Sequence, residues 1–170
     1  MNKESFILKF ILLFTIIIFK ACNPFAPHLA ENSSDTPVIG DQTTVEGVFK
    51  NFRYAYIFKD TTVYSRLLAD NYIFTYWNYD LGLPKSWGRA EDMIATSRLF
   101  DNVQDFDLIW SEVWKEEGDS LFKLIHRDFY LNIRYYSSNS DELQVKAAFQ
   151  LERQKTADEW KITICRDESY

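Results

Sequence analysis

The 170 residues predict an α+β fold, three N-terminal helices packed on a curved, mainly antiparallel sheet. Three observations predict it. Apolar residues recur at three- and four-residue steps in three stretches between about residues 43 and 100, after which the period drops to two. The strands of that second part are long and sequential, and short polar turns separate them, as in a meander of antiparallel hairpins. Helices followed by consecutive strands place the helices on one face of a single sheet.

The chain begins "MNKESFILKFILLFTIIIFKAC", with Lys3 and Lys9 ahead of an apolar run from Phe10 to Phe19. That run is shorter than the ~20 residues a bilayer span needs and has the length of a secretory h-region. Ala21 before Cys22 resembles the end of a bacterial lipoprotein signal, although Lys20 and Phe19 depart from the usual small and Leu-like residues. The resemblance implies a lipid on Cys22, and Asn23, rather than Asp, implies passage to the outer membrane. An ordinary cleaved signal or a short uncleaved anchor is the alternative. Residues 1 to 21 are thus read as a signal peptide and 22 to 42 as a lipid-anchored linker. That linker holds three of the four prolines and no apolar period.

Residues 43 to 170 form the domain. Loss of the signal removes three lysines and one glutamate, moving the net charge from −6 to about −8. Such a charge repels phosphate backbones and anionic surfaces, which argues against a nucleic-acid partner. With Cys22 acylated, Cys165 has no partner for a disulfide, and its place in the apolar "WKITICRD" makes it a small buried hydrophobe.

The first helix opens at a capping box of Thr43 and Glu46 and carries Val45, Val48, Phe49, Phe52 and Tyr56 to about Phe58. Asp60 caps a short second helix with Tyr64, Leu67 and Leu68 inward. "NYIFTYW" is a β-branched and aromatic strand, and a turn at "LGLP" leads to a third helix whose inner face is Ala90, Met93, Ile94, Ser97 and Phe100. Strands follow at about 104 to 116, 121 to 137, 142 to 154 and 159 to 168. Phe49, Phe52, Leu67, Ile94, Val145, Phe149 and Ile162 are the expected core.

This order, with "LLADNYIF", "GRAEDMI" and "EWKITICRDES", resembles the nuclear transport factor 2-like superfamily, which includes SnoaL-like and ketosteroid isomerase-like proteins. The resemblance implies a cone-shaped α+β domain. It does not imply one activity, since the superfamily holds isomerases, cyclases, dehydratases, epoxide hydrolases and proteins without chemistry. Laid over the isomerase pattern, the chain has Phe52 where the enolate-binding tyrosine belongs and Tyr76 where the carboxylate base belongs. Phenylalanine has no proton to donate, and a phenol with a pKa near ~10 is a poor base at neutral pH. The dehydratase histidine pair is lacking, because His126 is the one histidine of residues 43 to 170. One histidine and one cysteine do not make a metal set, and no cofactor is implied.

On "LFKLIHRDFYLNIRYY", alternation gives one set with Ile125, Arg127, Phe129, Leu131 and Ile133 and another with His126, Asp128, Tyr130 and Asn132. The first set is the more apolar and is expected to face the core. Aromatic residues make up 17% of the chain, too many for a small core to absorb, so they point to a pocket or an interface. The ligand contacts read from these patterns are Tyr56, Tyr76, Trp110, His126 and Tyr130; no catalytic residue is assigned. The expected role is that of a membrane-tethered, non-catalytic domain binding a small apolar molecule or a protein, with a homodimer through the sheet face. The alternative is a polyketide-cyclase-like or isomerase-like enzyme using His126, Asp128 and Tyr130.

Overall fold

The computed structural model describes residues 38 to 137 and 139 to 169. Residues 1 to 37, where the signal peptide, Cys22 and most of the linker were expected, lie outside the described residues. Packing begins a little before the expected boundary. Asn51 accepts a hydrogen bond from the Gly40 amide at 2.6 Å, and the Gln42 side chain donates to the carbonyls of Arg66 and Trp160 at 3.1 and 2.9 Å.

Helix α1 spans Val45–Ile57 and buries Val48, Phe49, Phe52 and Ala55, a stripe set by the apolar spacing. Its N-cap is Thr44, one residue later than expected, and its hydroxyl accepts from the Gly47 amide at 3.0 Å. Thr43 is not free to cap, since its hydroxyl donates to Asp41, and Glu46 reaches away to Arg127 at 3.1 Å. Gly47 packs on the preceding loop so closely that a Cβ would sit 1.8 Å from the Asp41 carbonyl oxygen. Asp60 then caps α2 (Thr61–Leu67) by accepting from the amides of Thr62 and Val63, as expected.

Strand β1 (Leu68–Asn78) turns back through Gly82, at φ +63°, into β2 (Leu83–Gly88), a strand not foreseen from the sequence. "LPKSWG" has neither alternation nor β-branching, and Pro84 lacks an amide proton. All of this is tolerated on an edge strand, which β2 is. Helix α3 (Arg89–Asn102) follows at once, its first turn closed by the Glu91 side chain accepting from the Gly88 amide at 3.0 Å.

Four long strands complete the chain, β3 (Val103–Gly118), β4 (Phe122–Tyr135), β5 (Ser140–Glu152) and β6 (Lys161–Asp167). The sheet order is β2-β1-β6-β5-β4-β3, antiparallel throughout except for the parallel pair β1 and β6. Register shifts in β3 around Trp110, Val113 and Lys115 interrupt its ladder with β4, irregularities of the kind that bend and twist a strand. At the β3–β4 turn Gly118 has φ +114°, and a Cβ there would lie 2.2 Å from the Phe122 carbonyl oxygen, so the turn requires glycine.

The core lies between the concave face and the helices, with Phe49, Leu67, Leu108, Ile125, Phe149, Leu151 and Ile162 almost wholly enclosed. Phe52 is buried as expected. Val145 is only partly buried, because it borders an internal space, and Ile94 is 54% exposed, contrary to expectation. The buried stripe of α3 is Asp92, Thr96 and Phe100, rotated from the expected face because it is organised around a carboxyl rather than an aliphatic side chain.

Candidate functional site

The bent sheet and the three helices leave a cavity of about 280 Å³. Its helical wall is Phe52 and Tyr56 of α1, Tyr64 of α2, and Asp92, Thr96 and Leu99 of α3. Its sheet wall runs from Trp87, Tyr72 and Phe74 on the β2 side, through Cys165 and Asp167, to Phe149, Ala147, Phe129 and Leu131. Alternation along β1, β4, β5 and β6 aims these strand residues inward, and eight of the lining residues are aromatic.

Asp92 is the polar centre of this space. It is 5% exposed, and both of its oxygens are held: Oδ2 accepts from the Tyr64 hydroxyl and Oδ1 from the Trp87 indole N–H, each at 2.8 Å. Burial pushes its pKa above the ordinary carboxyl value, and the two hydrogen bonds oppose that rise without an ion pair to help them. The phenols of Tyr64, Tyr56 and Tyr72 are pushed up chiefly by burial and further by the charge of Asp92. Burial likewise raises the Cys165 thiol, with the Asp92 and Asp167 charges adding to it. These groups therefore stay protonated near neutral pH. They can donate hydrogen bonds, but they supply neither a phenolate nor a thiolate.

The residues singled out in the sequence do not converge. Tyr56 lines the cavity. Tyr76 is half-buried on β1, its ring 5.2 Å from that of Trp87, outside the lining itself. Trp110 packs edge-on against Phe49, Phe52, Phe129 and Phe149, and its indole donates to the Phe49 carbonyl at 3.0 Å, making it a support for the wall.

Strand β4 turns Ile125, Arg127, Leu131 and Ile133 into the core and leaves Tyr130 51% exposed on the other face, as alternation required. His126 is on that outer side too. Its Nδ1 lies 3.0 Å from Glu168, and its ring packs on Trp114. Asp128, two residues further on, accepts from the Trp114 indole at 3.0 Å. Pairing of β4 with β5 and of β5 with β6 aligns His126 with Arg166 through Ala148, which brings Glu168 close by.

Arg127 faces inward at the end of the cluster. Its guanidinium lies over the Phe49 and Trp110 rings, donates to the Ser111 carbonyl at 2.7 Å and pairs with Glu46. No group of three or more metal-ligating side chains occurs among the described residues.

No protein-family model matches the sequence, and a search of curated proteins found no match. Solved structures do match. A conserved protein from Planctomyces limnophilus is 17% identical, with 72% of this chain and 90% of that one covered at a TM-score of 0.62. An NTF2-like protein of unknown function in nutrient uptake from Rhodospirillum rubrum is 13% identical, covering 73% and 96% at 0.58. The chain has the nuclear transport factor 2-like fold. A third structure, hexachlorocyclohexane dehydrochlorinase LinA-type3 from Novosphingobium barchaimii, is 10% identical, covering 74% and 84% at 0.58. This fold therefore serves both an enzyme and a protein of unknown function among its neighbours, and identities this low carry no site residue across.

Within this nuclear transport factor 2-like domain, Asp92 is the residue that the sequence reading missed. A signal was present, since Asp92, Thr96 and Phe100 are spaced four apart and share one helical stripe. Trp87 and Tyr64 were visible as aromatics, but nothing in their spacing tied them to a carboxyl on another element.

Proposed function

We propose that this is an exported, lipid-anchored binding domain that takes a small, predominantly apolar ligand into the aromatic cavity and meets the ligand's polar group with Asp92. The observation that carries the reading is the cavity itself, about 280 Å³ of mostly apolar, aromatic-rich surface around a buried carboxyl. Ligand sites are commonly apolar pockets with a few placed polar groups. A ligand burying about 200 Å² of apolar surface gains on the order of 5 kcal/mol from that burial, against which the loss of its own freedom is set. The tether rests on Cys22 after its short apolar run and on the proline-rich stretch that follows.

The enzyme alternative, built on His126, Asp128 and Tyr130, draws no support from their position, because His126 and Tyr130 are absent from the cavity lining and Asp128 is engaged with Trp114. Among the described residues that line the cavity there is no histidine, thiolate or second buried carboxyl in contact with Asp92 to share proton transfer with it.

The test uses N-phenyl-1-naphthylamine, an uncharged fluorescent hydrophobe, titrated into the full chain and into Ala147→Phe. Ala147 is 2% exposed and lines the cavity, so a phenyl group there fills it. The wild type is expected to bind and the variant to lose at least tenfold in affinity while keeping its circular dichroism spectrum. Equal binding by both folded proteins places the hydrophobe elsewhere and overturns the reading. The tether is tested in the same preparations by labelling with a palmitate analogue, which Cys22→Ala should abolish and which equal labelling would refute.

A further inference from the structure

We infer that the cavity is selective for an organic cation, an amine or quaternary ammonium carried on an apolar body. This deepens the reading above and rests on it. The charge around the cavity is one-sided. Two carboxylates, Asp92 and Asp167, border it, and among the described residues that line it there is no lysine, arginine or histidine. The groups that hold Asp92 are uncharged donors, a phenol and an indole, which together satisfy two of the roughly four acceptor positions of a carboxylate. Asp167 accepts one amide hydrogen bond, from Ser169 at 2.9 Å. Acceptor capacity and negative charge thus remain available at an apolar site, an arrangement that a buried carboxylate sustains poorly without a positive partner.

The walls favour the same ligand. Aromatic ring faces attract cations, and a desolvated site strengthens that attraction. Tyr56, Tyr64, Tyr72, Phe74 and Trp87 come from α1, α2, β1 and β2, so rings surround the Asp92 side of the space from several directions. A hydrated metal ion is a poor fit for such walls, and no set of three ligating side chains is found among the described residues. An anion would meet both carboxylates with no compensating donor cation. The net charge of −6 on the whole chain adds a field of the right sign for drawing a cation in.

Three ligands of similar size and different charge separate the possibilities: (4-hydroxyphenyl)trimethylammonium, its uncharged carbon isostere 4-tert-butylphenol, and 4-hydroxybenzenesulfonate. Each is titrated calorimetrically into the full chain at pH 7, where the phenol groups of all three are protonated. The trimethylammonium compound is expected to bind at least tenfold more tightly than 4-tert-butylphenol, and the sulfonate not to bind measurably. In Asp92→Asn the gap between cation and isostere should shrink at least fivefold. Should that variant fail to fold, Asp167→Asn and a titration of the wild type at lower pH replace it. Acidification should weaken the cation and leave 4-tert-butylphenol unchanged, because Tyr56, Tyr64, Tyr72 and Cys165 are already protonated and the Asp92 carboxyl, raised by burial, is left to gain a proton. If 4-tert-butylphenol binds as tightly as the cation or more so, the charge preference is wrong while binding in the cavity stands. If none of the three binds, both are wrong.

Discussion

At the scale of single residues, the chemistry of the cavity turns on how Asp92 is held. The Trp87 indole can only donate, whereas the Tyr64 hydroxyl can donate or accept. Asparagine at position 92 can therefore keep its carbonyl on Trp87 and offer its amide to Tyr64, so both hydrogen bonds survive in the variant. What disappears is the titration. Because burial raises the folded-state pKa of Asp92, its protonated form is the one the fold favours. The stabilisation linked to that proton is complete below the ordinary value of 3.8 and is lost as pH rises through the raised pKa. Asp92→Asn is expected to match the wild type within about 1 kcal/mol near pH 4 and to become progressively the more stable of the two as pH increases. Urea unfolding across pH 4 to 8 measures the difference. A wild type that gains on the variant with rising pH would mean that the hydrogen bonds from Tyr64 and Trp87, which favour the carboxylate, outweigh burial.

At the scale of elements, helix α3 decides where the carboxyl points. Its phase is testable by two truncations. Phe100 is 3% exposed and packs edge-on against Tyr56 and Phe106, so Phe100→Ala should cost about 3–5 kcal/mol. Ile94 is 54% exposed, and Ile94→Ala should change stability by no more than about 0.5 kcal/mol. Thermal or urea unfolding that ranks the two the other way would place the helix in the phase first read from the sequence. That reading failed for a physical reason. Periodicity counts apolar side chains, and α3 buries Asp92 and Thr96 on its inner stripe while exposing Ile94. The other elements with a strong period were legible: the α1 stripe of Val48, Phe49 and Phe52, the Asp60 cap, and the inward set of β4 from Ile125 to Ile133. The edge strand β2 was not, because an edge needs little side-chain burial and tolerates Pro84.

At the scale of the whole molecule, the order of helices and strands was legible because each hydrophobic period names its element, and one face of a sheet must be covered. The site was less so. Tyr56 could be found in the sequence as an inward aromatic, yet the space it borders is assembled from all three helices and five of the six strands, and no local spacing records such convergence. The structure assigns the two faces of the sheet different tryptophans. Trp87 lines the cavity and donates to Asp92, whereas Trp114 is 57% exposed and donates to Asp128 on the side of His126 and Tyr130. Those two indole protons can report directly on where a ligand goes. The decisive measurement is a two-dimensional ¹H–¹⁵N NMR titration of the full chain with N-phenyl-1-naphthylamine, with the indole signals assigned by Trp87→Phe and Trp114→Phe. The indole N–H of Trp87 is expected to shift on binding while that of Trp114 stays in place; a shift confined to Trp114 would contradict the account.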